Sequence, residues 1–106
     1  MWAEENSREA IFLALRRRET YGTSGPRIVL RFFAGYGYPA AMCEAADFAE
    51  QGYAGGVPMG GVLGAPPPGM APSFAVSALR DAQGTALQRI QIIKGWVEND
   101  TTEYAV

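Results

Sequence analysis

Residues 2–27 of the chain, WAEENSREAIFLALRRRETYGTSGPR, decide the class of fold, because they contain a helix and its exit into a strand. Asn6 and Glu9 have the spacing of a capping box, in which two side chains satisfy backbone amides at the start of a helix. Apolar residues then share one helical face, so we expect a helix that runs to about Arg18. Gly22 is expected to end this element in a left-handed conformation.

Alternating side chains predict a small antiparallel sheet after this helix. Residues 27–33 and 73–81 each place apolar residues on one face with the period of two that is typical of a strand. Residues 87–98 predict a long last strand, joined to the second strand as a hairpin by the turn at residues 81–84. The polar tail leaves open a further strand that would begin near Tyr104.

The segment between the first two strands predicts a second helix and a long loop. Residues 40–51 are rich in alanine and are followed by Gly52, so they predict a short helix that ends there. Residues 52–72 consist largely of Gly, Pro and Ala, which favours an irregular connection. The prediction is therefore an α+β fold: an N-terminal helix, an antiparallel sheet of three to four strands, a second short helix and a long Gly/Pro-rich loop.

Size, charge and hydropathy exclude several classes of function. The chain has 106 residues, which suffices for one small domain. Its formal net charge of −2 gives no reason to expect a nucleic-acid partner or an anionic membrane surface. No apolar stretch approaches the roughly 18 residues of a spanning helix, so we expect no membrane partner. The compartment stays open.

The absence of histidine excludes most self-contained catalytic centres. Nucleophiles that depend on an imidazole base, and zinc sites built on imidazole, cannot form within this chain. Cys43 is the only cysteine and lies among alanines, so we expect it to be a small buried hydrophobe. Pairs of carboxylates such as Asp47 and Glu50, or Glu44 and Asp47, are better explained as an exposed acidic helix face than as a catalytic pair. We therefore expect no catalytic residue and no metal in this chain.

Short motifs along almost the whole chain resemble the C-terminal part of the DUF3604 family. They occur in the order of the family: AEENSRE, RRETY, TSGPR, RFF, GYA, GVPMGG, LQRIQI and KGW, which begin at residues 3, 17, 23, 31, 52, 56, 87 and 94. This family is large and bacterial, and the resemblance implies a relationship to the metal-dependent hydrolases of the PHP type.

The resemblance also implies that most of a full member is absent here. Family members are several times longer and carry metal-binding His and Asp residues in an upstream barrel-like domain. Residues 1–22 would then be a helix that packs on this missing domain, and residues 23–106 a partial β-rich C-terminal region. Any divalent metal, Zn or Mn, would belong to the missing domain, which would be the main partner. Uncovered apolar surface would also allow self-association.

Two functions follow as hypotheses. In the first, the chain is a non-catalytic segment of a hydrolase of phosphate or sulfate esters, and Thr23, Ser24 and Arg27 hold the anion of the substrate. The simpler interpretation is that the two hydroxyls accept hydrogen bonds from amides of the turn and that Arg27 caps the edge of a strand. Arg16, Arg17 and Arg18 are likewise either an anion patch or cations that complement the helix dipole.

In the second hypothesis the chain is a stand-alone, β-rich module that binds a protein or a small ligand. Its aromatic residues would form the binding surface. The residues concerned are Trp2, Tyr36, Tyr38, Tyr53 and Trp96. The alternative is that they belong to the core or face the missing domain.

Overall fold

The computed structural model describes residues 1–106 and shows an α+β fold, as predicted. Two α-helices, a short 3₁₀ helix and five strands follow one another along the chain. In chain order they are α1 (Arg8–Arg16), β1 (Val29–Gly35), the 3₁₀ helix (Ala40–Glu44), α2 (Phe48–Gly55), β2 (Gly56–Pro58), β3 (Ser73–Leu79), β4 (Lys94–Glu98) and β5 (Thr101–Ala105).

The strands form two separate antiparallel sheets. β1 lies in the centre of the first sheet, between β2 and β3. Phe33 of β1 is level with Pro58 of β2 and with Ala75 of β3, so these three residues share one face of the sheet. β4 and β5 pair only with each other and form a two-stranded hairpin.

A small core fills the face of the sheet that carries Phe33. Phe33, Met42 and Ala75 are buried there, and α2 packs against them. The ring of Phe33 meets Phe48 edge-on at 5.7 Å and Tyr53 at 5.1 Å, both measured between ring centroids. Aromatic rings prefer this edge-to-face geometry, so the contacts fix α2 on the sheet.

The start and the end of α1 differ from prediction. Ser7, not Asn6, caps the helix, because its hydroxyl accepts a hydrogen bond from the amide of Ala10 at 3.2 Å. The left-handed residue is Arg18, at φ 59°, and not Gly22. Two backbone bonds impose this conformation: the Arg18 amide donates to Leu15 and the next amide, that of residue 19, donates back to residue 14.

The second helix and the glycine-rich segment also differ from prediction. Residues 40–51 do not form one helix, because the 3₁₀ helix ends at Glu44 and α2 starts only at Phe48. α2 continues through Gly52 to Gly55, and the residues after it form β2. A Cβ at Gly52 would lie 2.5 Å from the ring of Phe33, so glycine here permits close packing of helix on sheet and does not end the helix.

The predicted long last strand is wrong in its extent and in its partner. The turn at residues 81–84 forms, with the Gly84 amide donating to the carbonyl of Asp81 at 3.0 Å, but no strand follows it directly. β4 begins at Lys94 and pairs with β5. Asn99 and Asp100 have φ of 49° and 61°, a left-handed pair that is typical of a two-residue hairpin turn. The further strand that the sequence left open in the tail is therefore present, as β5.

The chain exposes far more surface than its mass predicts. Its accessible surface is 8226 Å², and only 8 of 106 residues are buried. A compact protein of 11.4 kDa exposes about 5,800 Å², so roughly 2,400 Å² is in excess. Cys43 is among the exposed residues, which contradicts the predicted burial; it lies on the outer side of the 3₁₀ helix. No helix has the length and hydropathy to cross a bilayer.

Candidate functional site: a pocket beside the turn between α1 and β1

Thr23 and Ser24 line a cavity of about 430 Å³. Residues of the turn between α1 and β1 line one part of the cavity and residues 87–90 line another, and we call these two parts its walls. Because the predicted anion-binding hydroxyls both border it, this cavity is the candidate site.

The lining of the cavity is part apolar and part polar, and we call the apolar residues of β1 and β3 its floor and the polar residues its rim. Ile28, Leu30 and Ala78 supply the floor, and Leu87 and Ile90 extend the apolar surface up the far wall. The polar residues of the rim come from both segments that line the cavity. They are the side chains of Tyr21, Thr23, Ser24 and Arg89. The volume lies within the range of small-molecule sites, which combine apolar lining with a few polar groups.

Arg89 is the residue that sequence reasoning missed. Its Nε donates to Oε1 of Gln91 at 2.9 Å, which orients the guanidinium. It has no acidic partner, because the one ion pair of the chain joins Arg17 to Glu19. The terminal nitrogens of Arg89 are therefore available to a ligand. The motif LQRIQI was the available signal, but as part of a regular strand it suggested no proximity to residues 23 and 24.

Arg27 is fixed through its backbone amide, and it does not line the cavity. Its amide donates to Oδ2 of Asp81 at 2.8 Å, and the amide of Gln83 donates to Oδ1 at 3.0 Å. These two hydrogen bonds favour the charged carboxylate and lower the pKa of Asp81. They tie the start of β1 to the end of β3 and so fix one side of the cavity. A role for the Arg27 side chain with an anion stays a prediction.

A second polar cluster surrounds Glu19, which is only 3 % exposed. Its Oε1 accepts a hydrogen bond from the hydroxyl of Tyr53, and its Oε2 lies 3.4 Å from Nε of Arg17. Arg31 stacks on Trp2, with Cζ 3.5 Å from the ring centroid. These side chains border a cleft of about 540 Å³.

This cluster, which we call the Glu19 cluster (Trp2, Arg17, Glu19, Arg31 and Tyr53), joins three parts of the chain. Trp2 donates from its indole to the carbonyl of Leu30 at 2.9 Å and from its amide to the carbonyl of Glu19 at 3.0 Å. The motifs RRETY, RFF and GYA meet here. Both carboxylate oxygens of Glu19 have partners, so the cluster works as a junction between α1, β1 and α2.

Burial raises the pKa of Tyr53, and the hydrogen bond to Glu19 and the charge of that carboxylate raise it further. Arg31 acts in the opposite direction but does not outweigh these effects. Tyr53 therefore stays protonated and remains a hydrogen-bond donor to Glu19 well into alkaline conditions.

The remaining candidate residues do not form a shared site. Tyr38 donates to the carbonyl of Gly52 at 2.9 Å and packs against the core, whereas Tyr36 donates to Gly64 at 2.8 Å. Trp96 lies on the separate β4–β5 hairpin. No group of three or more His, Cys, Asp or Glu side chains is placed to hold a metal ion.

The fold and the pocket thus define a small α+β domain with a cavity of mixed polar and apolar lining. The family model described as "Protein of unknown function (DUF3604)" matches residues 1–105. The chain therefore belongs to the DUF3604 family. Comparisons with curated proteins and with solved structures find no match.

Proposed function

We propose that this chain is a non-catalytic segment of a longer DUF3604 protein, whose full-length form is a metal-dependent hydrolase of phosphate or sulfate esters. The observation that carries the proposal is the excess of roughly 2,400 Å² of exposed surface over that of a compact protein of this mass. Permanent interfaces bury about 2,000–5,000 Å² in total, roughly half of it on each partner, so the excess is large enough for one whole side of an interface with a further domain.

The outer face of α1 is the part of this surface that fits a barrel-like domain best. Phe12 and Leu15 are 57 % and 51 % exposed and, with Ile11, border an open groove of about 550 Å³. Ala14, which lies about 160° around the helix from Phe12 but only about 60° from Ile11, is already buried within the chain. A helix with apolar residues on two sides is typical of one that packs between two bodies.

The Glu19 cluster links the position of this helix to the position of the turn that follows it. It joins the end of α1 to β1 and α2, so a domain that holds α1 also positions the turn that follows it. Thr23, Ser24 and Arg27 on or beside this turn would then present hydroxyls and a guanidinium to the anion of the substrate. A fixed set of donors of this kind stabilises charge without reorganisation.

The residues of this chain do not fit a divalent-metal site, since they include no histidine and no converging group of acidic side chains. A Zn or Mn ion would be held by the upstream domain. In this proposal the chain supports the barrel and orients the anion, and it supplies no nucleophile, acid or base.

Steady-state hydrolysis of phenyl phosphate and phenyl sulfate by the full-length protein tests this function. Thr23→Ala, Ser24→Ala and Arg27→Ala should each lower kcat/KM by about tenfold, the size expected when one charge-assisted hydrogen bond to a substrate is lost. Arg80→Ala, which removes an exposed cation bonded only to a backbone carbonyl, is the matched control. Turnover by the 106-residue chain alone would contradict the non-catalytic assignment.

The pocket supports a second candidate, a stand-alone ligand-binding module. A cavity of about 430 Å³ with a mixed lining is large enough for a small molecule. A monomeric chain with one cooperative thermal transition would favour the module, whereas aggregation or binding of an apolar dye would favour the segment with uncovered interfaces.

A further inference from the structure

We infer that the cavity between residues 21–26 and 87–90 binds a phosphate or sulfate monoester whose ester group is apolar, an aryl or a branched alkyl group. This deepens the proposed function, on which it rests, by naming the substrate class and by adding Arg89 as its principal charged contact. Neither the motifs nor the family match assigns that residue.

The anionic end of the ligand is defined by the rim. Thr23 and Ser24 bring two hydroxyls from the turn, and Arg89 brings a guanidinium from the segment 87–90. Arg89 is oriented through its Nε by Gln91 and has no acidic partner, so its terminal nitrogens keep the paired donors that match two oxygens of a tetrahedral anion. No carboxylate lines the cavity to repel that anion.

The apolar end of the ligand is defined by the floor and the far wall. Leu30 and Ala78 are opposite each other on β1 and β3, so they point to the same face and form a flat surface. Leu87 and Ile90 stand beside this surface and are 37 % and 55 % exposed. A phenyl or branched alkyl group placed between them would remove apolar surface from water on both partners.

The two ends together select against simpler ligands. Inorganic phosphate would satisfy the rim and leave the floor in water. Phenol would cover the floor and leave Arg89 without an anion. A monoester with an apolar group is the ligand that uses both, and the cavity volume of about 430 Å³ accommodates it.

Titration calorimetry of the full 106-residue chain with phenyl phosphate, phenyl sulfate, inorganic phosphate and phenol tests the inference. We expect a phenyl ester to bind at least about tenfold more tightly than inorganic phosphate, from burial of the ring. Which of the two esters binds more tightly identifies the anion.

Arg89→Ala should weaken binding of the preferred ester by about tenfold or more, through loss of the charge-assisted hydrogen bonds. Arg80→Ala, the same change at an exposed position that does not line the cavity, should leave it unchanged. Ile90→Ser should abolish the preference for the phenyl ester while inorganic phosphate binds as before.

Three results would overturn the inference: no binding of either ester, equal binding of phenyl phosphate and inorganic phosphate, or unchanged binding in Arg89→Ala. None of them alters the effect of Thr23→Ala, Ser24→Ala or Arg27→Ala on turnover by the full-length protein. A failure of this inference is therefore distinguishable from a failure of the proposed function.

Discussion

The hydroxyl of Tyr53 donates a hydrogen bond to the buried carboxylate of Glu19 and thereby joins α2 to the segment that leaves α1. The sequence separation of the two residues is 34, so the contact joins segments that are distant along the chain. Glu19 is charged and almost fully buried, and a buried charge is costly unless its oxygens are paired. The Tyr53 hydroxyl and the Arg17 guanidinium are the two groups that pair this carboxylate.

Removal of that phenol should destabilise the fold. Tyr53→Phe keeps the ring on Phe33 and leaves one oxygen of Glu19 without its partner, which should lower the free energy of unfolding by about 1–3 kcal/mol. Urea denaturation followed by circular dichroism measures the change. Tyr104→Phe, at a side chain that is 74 % exposed, is the control and should have no effect. Equal stabilities of the two variants would contradict the role of the cluster.

The raised pKa of Tyr53 predicts a loss of stability at alkaline pH. The folded chain holds this proton more tightly than the unfolded chain, whose phenol titrates near 10. The contribution is therefore fully present below pH 10 and is lost as the pH rises through the folded value. Unfolding free energies between pH 8 and about 11.5 should fall more steeply for the native chain than for Tyr53→Phe. Burial also raises the pKa of Tyr38, so a smaller slope should remain in the variant.

Gly52 should not tolerate a methyl group. An added Cβ would lie 2.5 Å from the ring of Phe33, which is itself buried in the core. We expect Gly52→Ala to cost about 1–3 kcal/mol through overpacking, although alanine favours a helix. Gly64→Ala, where nothing lies within 4 Å of the new atom, is the matched control. A stabilised Gly52→Ala variant would show that α2 does not lie this close to the sheet.

The carboxylate of Asp81 should make the turn at β3 sensitive to acid. The amides of Arg27 and Gln83 lower its folded pKa below the ordinary value of 3.8. Its contribution to stability is therefore present above pH 3.8 and is lost as the pH falls through the lowered value. Asp81→Ala should melt at a lower temperature than the native chain at pH 7, and the difference should shrink below pH 3.8. A difference that does not depend on pH would contradict the assigned hydrogen bonds.

Local sequence patterns predicted the elements that have a regular spacing of apolar residues. The alternation of β1 and β3 and the apolar face of α1 were sufficient for the α+β class. The end of α1 was misplaced because Arg18, and not a glycine, adopts the left-handed conformation.

Long-range contacts decided what the sequence did not predict. Gly52 is a helix breaker by local preference, but it lies inside α2 because only glycine fits against Phe33. The extent of the last strand was wrong because the Asn99–Asp100 turn pairs β4 with β5 instead of with β3. Two hydroxyls of the pocket were predicted from one turn, whereas Arg89 reaches it from 65 residues further along the chain than Ser24.

The measurement that tests the central claim most directly compares Phe12→Asp in the 106-residue chain and in the full-length protein. Phe12 is largely exposed in this chain, so the substitution should change its free energy of unfolding by less than about 0.5 kcal/mol. If a further domain covers α1, the same substitution should destabilise the full-length protein by about 2–4 kcal/mol, since it buries a charge. An equally small effect in both proteins would contradict the account.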